Sequence, residues 1–274
     1  NLHFYSLILI KINQNLIPTI MSQFNIMKFS YLILLAFMLN AGCAFGSSDQ
    51  TPEETDTILP AFTTAELIGK GNPTMVGNGY KLLPEVAKQF ELMKADAQKA
   101  GFKIQVISSY RNYTYQNGIW ERKYKANQAK KIAAKENIEK IIEYSTIPGT
   151  SRHHWGTDLD IIDGTRGIPA DPLNEKHFNE GGSMHKFKIW LDENASKYGF
   201  YLVYTDNSAR KGFKYEPWHF TYKAISEPML QAYKKLDIKK VLQENKLLGS
   251  ENFTDDFIEK YRKENILDIN PVIK

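Results

Sequence analysis

The chain has 274 residues, of which 42% are hydrophobic and 24% charged, with 17 glycines and 11 prolines. This composition is typical of a globular protein and excludes collagen-like, disulfide-rich and wholly disordered chains. The formal net charge is +4, and without the first 42 residues 33 basic and 31 acidic side chains leave +2. Such a small charge gives no strong basic field, so we expect no nucleic-acid partner. The single cysteine excludes an intramolecular disulfide and a zinc cluster built on cysteines.

The N-terminal segment is typical of an exported protein. Lys28 precedes an apolar run at 31–39, which is too short to span a bilayer but fits a secretory signal. Small residues and then Cys43 follow, similar to a bacterial lipobox, although Asn40 stands where that motif usually has leucine. We expect 1–42 to be an upstream segment and signal peptide, with a lipid anchor on the cysteine. The alternative is a cleaved signal peptide with an incidental cysteine, and both alternatives predict export to the periplasm or cell envelope.

The sequence after residue 42 is predicted to form a polar tether, one domain and a C-terminal extension. Residues 43–61 are polar and predict a flexible tether before a domain at 62–223. Hydrophobic periodicity in this domain predicts, in chain order, a helix at 83–100, a strand at 103–108, a mostly helical stretch at 115–143, a half-buried strand at 157–162, a helix at 184–198 and strands at 200–204 and 218–222. This order predicts an α+β fold with a small antiparallel sheet and flanking helices. Residues 224–274 predict a C-terminal helical extension, to which we assign no function.

The residues that can carry chemistry concentrate in two segments, SRHHWGTDLD and EPWH. A catalytic zinc ion typically has three protein ligands and one open position for water, and here the ligands must be histidines and carboxylates. His153 and Asp160 are seven positions apart across a predicted turn and can converge on one ion, with His219 as the third ligand. Glu216 would then lie close to the metal without binding it, where a general base belongs. A single histidine more often has a structural role, but the joint arrangement favours a metal site.

These motifs resemble those of the VanY-type D-alanyl-D-alanine carboxypeptidases, zinc peptidases of the LAS group that act on bacterial cell-wall peptides. The family pattern is Ser-x-His-x-x-Gly-x-x-x-Asp followed by Glu-x-x-His, and the chain matches it at Ser151, His153, Gly156, Asp160, Glu216 and His219. The resemblance extends over about residues 67–222. It implies an LAS-type α+β fold, one Zn²⁺ ion on the two histidines and the aspartate, and Glu216 as the catalytic base.

The resemblance also implies roles for residues outside the two motifs. The family has Ser-x-Tyr-Arg after a strand, and the chain has SSYR in that place, ending at Arg111. The guanidinium group of Arg111 would stabilise an oxyanion or bind a substrate carboxylate. Ser109, Gln116 and Ser151 are the expected substrate contacts, and the alternative for Gln116 is an ordinary residue on a helix face.

Two residues near the motifs need separate interpretation. Asp158 departs from the family pattern, which usually has a small residue there. It could tune the metal, orient a ligand histidine or face away along the strand, and we favour the last. His154 follows a predicted ligand directly, and we expect it to be a supporting or surface residue instead of a ligand.

The activity implied by the resemblance is zinc-dependent hydrolysis of bacterial cell-wall stem peptides. The first expectation is a D-Ala-D-Ala carboxypeptidase, or its variant that acts on a tetrapeptide as an L,D-carboxypeptidase. The alternatives are a peptidoglycan endopeptidase of the same chemistry and a non-catalytic peptidoglycan-binding module, which would not need Glu216 or Arg111. The expected partners are stem peptides and, through Cys43, a membrane. We expect a monomer.

Overall fold

The structure is a computed structural model that describes residues 62–244 and 246–274. The predicted signal peptide, the tether and the predicted anchor at Cys43 lie outside the described residues, so these stay predictions. Within the described ranges, no helix is both long enough and apolar enough to cross a membrane.

Helices and strands of the described residues follow the predicted order. The α-helices are α1 (Thr64–Leu67), α2 (Pro84–Lys99), α3 (Tyr113–Ala129), α4 (Ala134–Ile141), α5 (His185–Asn194), α6 (Lys223–Lys234), α7 (Ile238–Gln243) and α8 (Asp255–Tyr261). The strands are β1 (Ile104–Ser108), β2 (Asp158–Asp163), β3 (Phe200–Leu202) and β4 (His219–Tyr222). Short 3₁₀ turns lie at Arg152–Trp155, Glu175–His177, Ala195–Tyr198, Ser250–Asn252 and Pro271–Ile273, and a short π-helix lies at Arg262–Ile266. The prediction of an α+β fold is confirmed.

Two predicted helices differ from the observed ones at points where the backbone must turn. The stretch at 115–143 is two helices, because α3 ends near Lys131, which has a positive φ of 61°. The helix predicted at 184–198 changes to a 3₁₀ turn after α5 and stops at Gly199, whose φ is 79°. Both stops are left-handed positions, which an α-helix cannot continue through.

The four strands form one antiparallel sheet in the order β1-β2-β4-β3. Strand β2 is therefore central, with β1 on one side and β4 on the other. Its register places Asp160 opposite both Ser108 and His219, and Asp158 opposite Thr221. Because side chains alternate along a strand, the two aspartates lie on one face with His219 and Thr221.

The two faces of the sheet have different partners. Leu159 and Ile161 of β2 belong to an apolar core with α2 and α5. The opposite face carries Asp158 and Asp160, and the turn at Arg152–Trp155 covers it. The expectation of a half-buried strand was wrong, since the first five residues of β2 are all buried. Polar residues at alternate positions therefore mark a covered polar site here, not a solvent-exposed face.

The C-terminal segment packs into a second core with α3 and α4. Tyr261 in α8 bonds through its hydroxyl to the Ile147 backbone N–H at 3.1 Å and to Thr150 Oγ1 at 2.9 Å. The Tyr233 hydroxyl of α6 donates to the Gly149 carbonyl at 2.8 Å. These contacts fix the loop that leads into the SRHHWG segment, so the extension supports the position of the first motif.

Replacing Tyr261 by Phe should lower the free energy of unfolding by about 1–3 kcal/mol, because the buried Ile147 N–H loses its partner. Denaturant unfolding of the purified chain measures this difference. The control is Tyr115→Phe, since Tyr115 is 62% exposed, and it should change the stability by less than about 0.5 kcal/mol. Equal stability of the two variants would contradict a supporting role for the Tyr261 hydroxyl.

Candidate active site

A cleft of about 500 Å³ lies over the polar face of the sheet. It is lined by six residues that the sequence singled out: Arg111, Ser151, His153, Asp160, Glu216 and His219. Four parts of the chain bring them together: the loop after β1, which carries Arg111, the turn at Arg152–Trp155 with Ser151 directly before it, β2, and the loop and first residue of β4. The two motifs, more than fifty residues apart in the sequence, therefore meet in one place.

Two histidines and an aspartate lie close enough to hold one metal ion. His153 Nε2 is 3.4 Å from Asp160 Oδ2, and His219 Nδ1 is 3.7 Å from Asp160 Oδ1. One ligand atom from each residue can be chosen so that all three lie within 4.8 Å of one another. Ligands of a tetrahedral zinc ion at about 2.0–2.2 Å from the metal lie about 3.4 Å apart. Asp160 Oδ1 is also buried without a hydrogen-bond partner in the described part of the chain, so the donor set fits a zinc ion.

Hydrogen bonds orient both histidine rings toward this centre. His153 Nδ1 lies 2.9 Å from the Ser109 carbonyl, which can only accept, so Nδ1 carries the proton and Nε2 faces Asp160. His219 Nε2 lies 2.9 Å from Asp158 Oδ2, which directs Nδ1 toward the centre. In each ring one nitrogen faces the centre and the nitrogen that faces away bonds the protein, as in most metal-binding histidines.

Glu216 lies at the edge of the same centre. A turn in which the His219 backbone N–H donates to the Glu216 carbonyl at 3.0 Å places its side chain beside the ring. Glu216 Oε2 is 2.9 Å from His219 Nδ1. Burial raises the pKa of Glu216, an effect opposed by the neighbouring His219. A carboxylate whose pKa is raised in this way is a better proton acceptor than an ordinary glutamate.

Arg111 presents its cation to the cleft. Its backbone N–H donates to the His153 carbonyl at 3.1 Å, which ties it to the first motif. Burial lowers the pKa of Arg111, while the charges of Asp160 and Glu216 oppose this effect. Its buried Nε has no hydrogen-bond partner among the residues described. The guanidinium group is therefore a positive charge with bonding capacity left for a ligand in the cleft.

His154 is buried and holds the Arg111 backbone. Its Nδ1 lies 2.6 Å from the Arg111 carbonyl, and its Nε2 accepts from the Gly149 N–H at 3.1 Å. Burial lowers the pKa of His154 to about 3, so the ring is neutral. Because both nitrogens are engaged, His154 is not placed to bind a metal. A supporting role fits the prediction, whereas a surface position does not.

The three predicted substrate contacts lie in different environments. Ser151 lines the cleft, and its buried Oγ has no partner within the described ranges, so it is available to a ligand. Ser109 Oγ accepts from the Lys81 N–H at 2.9 Å, and Gln116 Nε2 donates to the Thr146 carbonyl at 2.8 Å. Neither Ser109 nor Gln116 lines the cleft itself, and these bonds go to backbone groups, so the substrate contacts predicted for both stay predictions.

Asp158 does not face away from the site, so the favoured expectation was wrong. Strand alternation puts it on the same face as Asp160, and its contact with His219 agrees with the alternative that it orients a ligand histidine. Two other cleft residues were missed. Lys123 Nζ donates to Ser145 Oγ at 2.6 Å. Tyr204 packs edge-on against the His219 ring at 5.1 Å. Lys123 gave no distinguishing signal because it lies in a lysine-rich helical stretch.

Comparison with known proteins gives the same family as the motifs. The family model described as VanY, D-alanyl-D-alanine carboxypeptidase, matches residues 79–225, which is more than half of the chain. The chain therefore belongs to the VanY family of D-alanyl-D-alanine carboxypeptidases.

Individual relatives match over part of their length. A D-alanyl-D-alanine carboxypeptidase of Enterococcus faecium is 28% identical over 174 residues, covering 60% of this chain and 47% of the relative. The Bacillus subtilis protein named "Putative carboxypeptidase YodJ" is 32% identical over 139 residues, covering 50% of this chain and 45% of the relative. The chain thus spans less than half the length of these two relatives. The solved structure "VanYB in complex with D-Alanine-D-Alanine" matches with a TM-score of 0.47 at 22% identity, covering 65% of this chain and 92% of that one. Family membership rests on the family model and not on this structural similarity.

The chain should bind one zinc ion, and His153→Ala should abolish tight binding because it removes one of the three candidate ligands. Equilibrium dialysis followed by elemental analysis measures the bound zinc. The matched control is His177→Ala, since His177 bonds Asp171 at 3.1 Å outside the cleft lining, and it should keep one zinc ion per chain. Retention of zinc by His153→Ala, or its loss in His177→Ala, would contradict the assigned ligand set.

Proposed function

We propose that this chain is a zinc-dependent carboxypeptidase that removes the terminal D-alanine from bacterial cell-wall stem peptides. The observation that carries the proposal is the convergence of His153, Asp160 and His219 with Glu216 in one buried cleft. Membership of the VanY family supports it, as does the similarity to the D-alanyl-D-alanine carboxypeptidase of Enterococcus faecium.

His153, Asp160 and His219 would hold the metal through Nε2, a carboxylate oxygen and Nδ1. When bound, zinc supplies a Lewis acid that polarises the scissile carbonyl and makes water a stronger acid. Glu216 Oε2 accepts a proton from the attacking water and later gives it to the leaving amine. His219 Nδ1 cannot donate to Glu216 and ligate a metal at once, so ligation leaves Oε2 free for the proton.

Arg111 and Ser151 are the proposed substrate contacts. The charge of Arg111 stabilises the negative oxygen that develops on the carbonyl, or binds the terminal carboxylate of the peptide. Ser151 Oγ, buried and without a partner among the described residues, can donate to the same peptide end. The predicted substrate contacts of Ser109 and Gln116 stay predictions, because their described bonds are structural.

Such a substrate lies outside the cytoplasm, which agrees with the export signal that the sequence indicates. We propose that the chain is a monomeric cell-envelope lipoprotein anchored through Cys43. The support for the anchor is the apolar run and the small residues before this cysteine.

The purified chain should shorten a pentapeptide ending in D-Ala-D-Ala by one residue, and a chelator should abolish the reaction. Mass spectrometry of the peptide identifies the bond that is cleaved. Cleavage of an internal bond, or equal cleavage of a C-terminally amidated peptide, would favour an endopeptidase. If zinc is bound and neither the pentapeptide, a tetrapeptide nor a cross-linked peptide is cleaved, the proposal fails and a binding module is favoured.

Glu216→Gln should reduce kcat by about 10²–10⁴-fold, because the amide keeps the size of the side chain but cannot accept the proton. Zinc content should stay unchanged, since Glu216 is not a ligand in this proposal. Glu175→Gln is the matched control, because Glu175 lies in the same cleft lining, and its activity should stay within a few-fold of the native value. Turnover that is intact in Glu216→Gln would exclude Glu216 as the base.

A further inference from the structure

Asp158 is a fully buried carboxylate beside the proposed metal centre, and four side chains bond to it. Its exposed fraction is 0%. Thr157 Oγ1 and Thr221 Oγ1 donate to its Oδ1 at 2.7 and 2.5 Å. Arg152 Nε donates to its Oδ2 at 2.9 Å, and His219 Nε2 lies at the same distance from that oxygen. Both oxygens of the carboxylate are therefore occupied by hydrogen bonds from protein side chains.

The Arg152 cation and the Thr221 hydroxyl, which both bond Asp158, also bond each other. Arg152 Nη2 donates to Thr221 Oγ1 at 2.9 Å, so the guanidinium group bonds both Asp158 and its cross-strand partner. The same guanidinium group lies over the Trp155 ring, 4.6 Å from its centroid. Arg152 is 5% exposed. Arg152, Thr157 and Thr221 hold the Asp158 carboxylate, so it has little freedom to rotate. It can therefore fix the orientation of a ring that bonds to it.

His219 is the ring that Asp158 fixes. An ionised carboxylate only accepts hydrogen bonds, so the 2.9 Å contact places the proton on Nε2 of His219. The remaining nitrogen, Nδ1, then points toward Asp160 Oδ1 at 3.7 Å and Glu216 Oε2 at 2.9 Å. A ring turned by 180° would lose the bond to Asp158 and direct a carbon atom toward the centre.

We propose that Asp158, held in place by Arg152 and Thr221, is a positioning residue that dedicates His219 Nδ1 to the metal. This inference rests on the metal site of the proposed function. Asp158 does not touch the substrate or the metal; it acts through the imidazole, whose other nitrogen it bonds. Carboxylates that bond metal-binding histidines in this way raise the basicity of the ligand, and their loss typically costs 10–100-fold in metal affinity.

The competing interpretation is that Asp158 only neutralises the buried charge of Arg152. Both interpretations predict that the chain becomes less stable when Asp158 is replaced. Only the positioning role predicts a change in zinc affinity and in the His219 ring when the folded variant is compared with the native chain. The test therefore needs readouts at the metal and at the ring.

The first variant is Asp158→Asn, which keeps the shape of the side chain and removes its charge. Competition with a chromophoric chelator should show a zinc dissociation constant about 10–100-fold higher than that of the native chain. In ¹H–¹⁵N spectra of the zinc-loaded protein, the Nε2–H signal of His219 should be present in the native chain and should weaken or shift in the variant. The control is Asp163→Asn, a carboxylate on the same strand that bonds Lys103 and Thr165 away from the site.

A second variant keeps the test decisive if Asp158→Asn does not fold. Thr221→Val preserves the size of the side chain and the ion pair of Arg152 with Asp158, but removes the hydroxyl that bonds both. It should weaken zinc binding by a few-fold, by loosening Asp158, and shift the Nε2–H signal. The positioning role would be overturned if Asp158→Asn kept the native zinc affinity and an unchanged His219 signal. If Asp158→Asn is unfolded, the same result in Thr221→Val would overturn it.

The positioning role of Asp158 and the proposed peptidase function can fail independently of each other. If the native chain cleaves no peptide but Asp158→Asn loses zinc affinity as expected, the positioning role stands and the peptidase proposal fails. If the native chain cleaves the pentapeptide and Asp158→Asn binds zinc with native affinity and an unchanged ring signal, only the positioning role fails.

Discussion

The pairing of β2 with β4 is the constraint on which the rest of the site depends. This pairing sets Asp160 opposite His219 and Asp158 opposite Thr221, all on one face of the sheet. Strand alternation then places the apolar residues of the same strands in the core with α2 and α5. A slip of one residue in this register would exchange the two faces and bury the polar groups in that core. The hydrophobic packing of one face therefore fixes the geometry of the other.

Such a concentration of buried charge is stabilised by the opposite charges within it. Asp158, Asp160 and Glu216 are each at most 6% exposed, and two guanidinium groups lie among them. Burial alone would raise the pKa of Asp158, but Arg152 and His219 hold that pKa well below its ordinary value. Removing one member of such a group leaves an uncompensated buried charge, which is costly. The site is thus a structural unit of the domain as well as its chemical centre.

Spacing and residue type predicted the parts of the site that chemistry itself restricts. Few kinds of site use two histidines, an aspartate and a glutamate together. Their order in two short motifs was therefore enough to predict a single metal-binding centre. The contacts of Asp158, Ser109 and Gln116 depend instead on which strand or loop lies next to each side chain. These neighbours are determined by the strand register and by segments that are distant in the sequence, such as the Lys81 backbone, which bonds Ser109. Neither is encoded in local periodicity, which also could not show that both faces of β2 are covered.

The tyrosines of the C-terminal segment have a consequence for any attempt to transfer this chain's site to another protein. Tyr233 and Tyr261 hold the loop at 147–150, which leads into the first motif, yet both lie beyond residue 225, where the family match ends. Asp268 similarly bonds the loop before Glu216, through Arg210 and Lys211. A chimera that grafted only the matched region onto another scaffold would carry the proposed metal ligands but not the side chains that hold their loops. In this chain the segment needed to hold the site therefore extends beyond the family match, and hydrogen bonds, not sequence similarity, define how far it extends.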